Sequence, residues 1–193
     1  MTTSDLQSDY MHQEGVSAEN YFPPETDTVL LDGRKVKYDD AKATAYARKY
    51  CSQKSNDCGH YYDQPGKTDC AHFIAHCLSA GGISIRPGAG STTTCPAGLA
   101  MRNTDLVAAL KNLAATYDNV DELGMIDAIV GDIGFLSNLL RPSHAFMLCE
   151  PANLADPLKP AKVYAHTSAK CCEDTGAEIR QWFATMFRIT SAV

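Results

Sequence analysis

The periodicity of this chain changes once along its length, and that change bounds the fold. Up to about residue 117 the apolar residues recur at helical spacing. Beyond it come short runs rich in Val, Ile, Phe and Tyr, separated by turn residues. Helices first and strands second predict an α+β fold, with N-terminal helices packed on a largely antiparallel sheet, rather than an alternating doubly wound one. With 193 residues, 45% of them hydrophobic and 21% charged, the chain has material for one core.

Residues 1–27 are polar, include Pro23-Pro24 and read as an arm, which leaves 28–193 as the single domain. Thr28 to Tyr38 resembles a hairpin around Asp32-Gly33. A first helix is expected from Asp39 to Ser52, acidic at its start and basic near its end (Arg48, Lys49), as the helix dipole favours. A second runs from Asp69 to Ala80 and stops at Gly81-Gly82. A third starts at a Thr104 cap and reaches about Tyr117. The polar stretch Gln53–Thr68 reads as a loop. So does Ile83–Asn103, whose 88–103 part is long enough to suggest a lid or binding loop. Strands are expected at 132–136, 144–149, 162–167 and 183–189.

Several functional classes are disfavoured at once. A net charge of -6 and a pI near 5.4 argue against nucleic acid or anionic lipid as partner. The three positive charges within Gly33–Lys37 read as an exposed strand or turn. No run approaches the ~18 apolar residues of a membrane span. The N-terminus lacks the basic and apolar regions of a signal peptide, so the expectation is a protein cytoplasmic as synthesised, with a non-Sec route left open for export. The glycines near residue 88 fit neither a P-loop nor a dinucleotide fingerprint. Eight cysteines invite a test for zinc, but six residues separate Cys51 from Cys58, and Cys171-Cys172 are adjacent. Neither spacing is that of a zinc pair, so no metal and no cofactor is expected. Some disulfides are plausible, with their connectivity unreadable.

Nucleophilic catalysis by cysteine needs a thiolate, a base, a group that orients the base, and donors for the oxyanion. Cys70 falls in the first turn of a helix, where unpaired N–H groups and the dipole lower a thiol pKa, and a polar loop before it can leave it accessible. Cys77, two turns on, reads as a buried thiol. Of six histidines, His12 lies in the arm. His60 belongs to the polar loop, and His72 and His76 leave the helix on other faces than Cys70; these three read as structural or surface residues. His144 opens the strand His144-Ala-Phe-Met-Leu-Cys149, and His166 lies in the next expected strand, where one imidazole could orient the other.

Three stretches carry a resemblance: Tyr46-Ala-Arg-Lys-Tyr50; Tyr61-Tyr62; and Thr68-Asp-Cys-Ala-His-Phe-Ile-Ala-His-Cys-Leu-Ser-Ala-Gly-Gly82. Gly131-Asp132, the His144 strand and Tyr164-Ala-His-Thr167 follow in order. Together they resemble the putative amidase domain family, related to the NlpC-type and CHAP-type peptidoglycan hydrolases of the papain-like superfamily. The resemblance spans about Tyr38 to Ile189. It departs at His72, where the family often has Asn or Ser, in the number of cysteines, and at 88–103, which has no family counterpart.

The resemblance implies a papain-like (NlpC/CHAP-like) fold and a cysteine amidase or endopeptidase. Cys70 would be the nucleophile, His144 the base and His166 its orienter, with Tyr62 and Asp69 lining the oxyanion or substrate side. The implied substrate is a peptidoglycan stem or another peptide, and the implied setting is a lysin or an exported antibacterial effector with a cognate immunity or inhibitor protein. A protease, deamidase or transglutaminase acting on proteins, or an inactive binding module of the same fold, remain alternatives.

Overall fold

The computed structural model describes residues 26–28, 30–31, 35–52, 69–87, 95, 98–138, 141–152, 160–166, 169–174 and 184–192. Among the described residues three helices, α1 (Asp40–Tyr50), α2 (Cys70–Gly81) and α3 (Asn103–Thr116), accompany a six-stranded sheet. Its strands are β5 (Val120–Gly124), β6 (Ile133–Asn138), β7 (Arg141–Glu150), β8 (Lys162–Ala165), β9 (Lys170–Asp174) and β10 (Ala184–Ile189), in the order β5-β10-β6-β7-β8-β9. Every neighbouring pair is antiparallel. The α+β expectation therefore holds. Two small ladders flank this layer: β1 (Thr26–Thr28) with β4 (Ile83–Ile85), and β2 (Leu30–Leu31) with β3 (Lys35–Val36). The latter is the expected hairpin, its turn lying outside the described residues. Thr26 and Asp27, assigned from the sequence to the arm, pair with β4.

Local chemistry explains the helix ends. Asp39 caps α1 by accepting from the Lys42 N–H at 3.0 Å. Gly82 closes α2 in the left-handed region (φ 107°), with its N–H turned back to the Leu78 and Ser79 carbonyls. Gly81, just inside, lies against the Tyr38 ring, which leaves no space for a side chain. The third helix departs from expectation: it begins at Asn103 behind Arg102, and Thr104 is its second residue rather than its cap.

The sequence does not announce β5 and β9, and the topology gives the reason. They are the two edges of the sheet, and Asp121, Glu122, Glu173 and Asp174 are exposed on them. Charge on edge strands prevents stray pairing and erases the apolar alternation by which strands are recognised. The core lies between the helices and the sheet, where Phe73, Ile74, Leu78, Leu106, Leu110, Phe135, Met147 and Phe187 pack with almost no exposure. Among the described residues two disulfides reinforce it. Cys171 pairs with Cys51 at the end of α1, and Cys172 with Cys149 on β7. Cys172 takes a left-handed φ of 59°, so two adjacent cysteines reach partners on different elements.

Candidate active site

Residues Cys70 to Leu78 of α2 are all buried, so this helix is enclosed all round by α1, α3, β4 and β7. Polar groups on such a helix must find partners. Asp69 stands at its N-cap yet makes no capping hydrogen bond. Its carboxylate is used elsewhere, accepting from His72 Nδ1 at 2.7 Å with one oxygen and from His166 Nδ1 at 2.6 Å with the other.

Cys70 is 1% exposed, so its thiol is enclosed rather than open to the preceding loop as the sequence suggested. Burial pushes the thiol up. A hydrogen bond and charge from His144, the Ala145 N–H and the Asn103 side chain outweigh it and hold the thiol below its ordinary range. Asn103 lies with its amide nitrogen 3.7 Å and its amide oxygen 3.8 Å from Sγ. Cys77, two turns along the same helix, is pushed well up, because burial outweighs a backbone hydrogen bond that acts the other way.

His144 reaches Cys70 from β7, opposite Leu136 on β6, where the ladder register shifts between Leu136 and Ser137. Irregularities of this kind re-aim side chains and recur beside active sites. The rest of β7 is held firmly. Gly131 N–H donates to the Leu148 carbonyl and Leu148 N–H to that of Asp132. The Asp132 carboxylate accepts from Arg188 at 3.1 and 2.8 Å and from the Ile129 N–H at 2.8 Å. The Gly131-Asp132 pair thus fastens the strand that presents His144.

His166 is placed otherwise than expected. It lies in the turn after β8, fully buried, and its Nε2–H donates to the Tyr50 carbonyl at 2.8 Å while Nδ1 faces Asp69. Its two nitrogens thus face Asp69 at the start of α2 and Tyr50 at the end of α1. Phe73 stacks on the ring at 4.0 Å. His166 therefore ties β8, α1 and α2 together. Asp69, expected on the substrate side, is the buried centre of this tie. Tyr62 and His60 lie outside the described residues.

Beyond Asp69 the chain of contacts continues through His72 to His76, whose Nε2 atoms are 3.0 Å apart. Burial opposes charge on His72, but Asp69 and Cys95 outweigh it and raise its pKa to about 9. The ligand-capable atoms of His72, His76 and Cys95 all lie within 4.8 Å of one another. Sequence reasoning missed both this convergence and Asn103, because their partners are brought together only by the fold.

Residues 37–91 match a family model described as Putative amidase domain. The match supports an amidase-like hydrolase. It contains α1, α2 and Cys70 and ends before Asn103, His144 and His166. No curated protein and no solved structure gives a significant match to the chain.

Proposed function

We propose that the chain is a papain-like cysteine amidase or endopeptidase that works by acyl transfer through Cys70. The single observation that carries this reading is the contact between Cys70, in the first turn of α2, and His144 on β7, which holds an enclosed thiol below its ordinary pKa. The Cys70 sulfur attacks the scissile carbonyl carbon, and His144 takes up the thiol proton and delivers it to the leaving amine as the C–N bond breaks. Water then attacks the thioester with His144 as base, releasing the acid and restoring the thiol.

Asn103 is suited to donate from its amide to the oxyanion, together with the N–H groups of the first turn of α2. In this reading the reactive unit is a Cys-His pair with Asn103, and His166 acts through structure. The favoured substrate class is the peptidoglycan stem peptide, on the strength of the family resemblance. The two disulfides fit work in an oxidising compartment such as a periplasm or cell wall, reached by export.

The test is incubation with purified sacculi and defined stem peptides, comparing wild type with Cys70→Ala. New amine and carboxyl termini with wild type alone support the reading. Equal products from both proteins overturn it, and products from protein substrates alone would move the substrate assignment while keeping the chemistry.

A further inference from the structure

On the face of α2 away from the thiol, a second set of reactive groups converges. His72 and His76 are four residues apart, about one helical turn, so their imidazoles leave the same side of the helix. Cys95 reaches them from the segment between β4 and α3. The result is two ring nitrogens and one sulfur, all buried, all within 4.8 Å. We propose that His72, His76 and Cys95 bind a divalent transition-metal ion, with a donor set that suits zinc, and that the ion ties Cys95 to α2.

Three features support a metal site over a simple contact among polar side chains. The first is the tautomer. Asp69 accepts from Nδ1 of His72, so Nε2 is the nitrogen turned toward His76, and a bound ion would displace a proton and replace the contact that the two Nε2 atoms now make. A carboxylate behind a histidine is the usual outer partner of a metal-binding imidazole. The second is distance. Tetrahedral zinc with Zn–N of about 2.0–2.1 Å sets its nitrogens about 3.3 Å apart. The two Nε2 atoms stand at 3.0 Å, so that pair needs to open by about 0.3 Å, while the sulfur, within 4.8 Å of them, needs to settle at about 3.6 Å from each. The third is the sulfur, a soft ligand atom held in position by the Leu99 N–H, from which it accepts a hydrogen bond at 3.4 Å. Three protein ligands leave one tetrahedral position for water or a further donor.

This link has a consequence for the neighbouring site. Cys95 lies eight residues before Asn103, whose amide touches the Cys70 sulfur. An ion that holds Cys95 to α2 would add a tether between the helix bearing the nucleophile and the chain leading to the residue that faces it. The metal content can be read directly, so this inference stands or falls independently of the proposed hydrolysis.

The experiment is elemental analysis of the full chain, purified without a histidine tag or chelator, followed by cobalt substitution. The expected content is about one zinc per chain. Chelator-stripped protein given Co2+ should develop visible bands of a tetrahedral site with a sulfur-to-cobalt charge-transfer band. Cys95→Ser should lose the charge-transfer band, and His76→Gln should lower retained metal. Asp69→Asn should weaken affinity about 10- to 100-fold. Wild type with less than about a tenth of an ion per chain and no visible band on Co2+ addition would overturn the proposal. So would a sulfur band that persists in Cys95→Ser. The wild-type measurements decide the existence of the site even where a variant fails to fold.

Discussion

The two ends of the polar chemistry on α2 use burial in opposite ways. At its first turn, Cys70 is enclosed with a small set of partners, His144, the Ala145 N–H and Asn103, all of which favour the thiolate. Behind it, Asp69 gathers His72 and His166, and His166 is bonded at both nitrogens and stacked on Phe73. The first arrangement leaves a charge ready to react, and the second commits its charges to one another. A buried polar group is a candidate for catalysis when its partners stabilise a reactive state, and a candidate for architecture when they exhaust its hydrogen-bonding capacity.

The sharpest way to break this contrast is to remove the reactive pair. Cys70→Ala or His144→Ala should lower kcat by about ten-thousand-fold or more, read as product release from stem peptides, with thermal stability close to wild type. The opposite pattern is expected behind the helix. Asp69→Ala leaves buried imidazoles without their carboxylate and should cost about 3–5 kcal/mol, measured by denaturant unfolding. His166→Gln should likewise lower stability while kcat falls by less than about tenfold. A loss near ten-thousand-fold at unchanged stability, the size seen when a base loses its orienter, would return His166 to the orienting role that the sequence suggested.

Asn103→Ala probes the boundary between the two regions. As an oxyanion donor it should cost about 100- to 1,000-fold in kcat, with KM little changed. A loss confined to stability would make it part of the architecture. The disulfides offer a comparison of their own. Cys51–Cys171 spans 120 residues and Cys149–Cys172 spans 23, so removing the first should destabilise more, within about 2–5 kcal/mol. The smallest effect concerns pH. Iodoacetamide should alkylate Cys70 with a midpoint below that of an ordinary thiol, and His144→Ala should move the midpoint upward, since burial then acts with less opposition.

Much of the frame was legible in the residues themselves. The helix of Asp69 to Gly82 declared its nucleophile position and its glycine stop, because both are local matters of the first and last turn. The strands of Ile133 to Asn138 and Ala184 to Ile189 were visible because their neighbours in the sheet bury them. The charged edges of the sheet hid β5 and β9. The sequence by itself also determined that His72 and His76 share a helical face and that Cys70 departs from another. Which residues answer these groups was decided by tertiary structure alone. Asn103 meets Cys70 across 33 residues, His166 meets Asp69 across 97, and Cys171 meets Cys51 across 120. Periodicity reports how a side chain leaves its own element. It carries no term for what arrives from another, and at the centre of this protein it is those arrivals that separate a reactive thiol from a structural histidine.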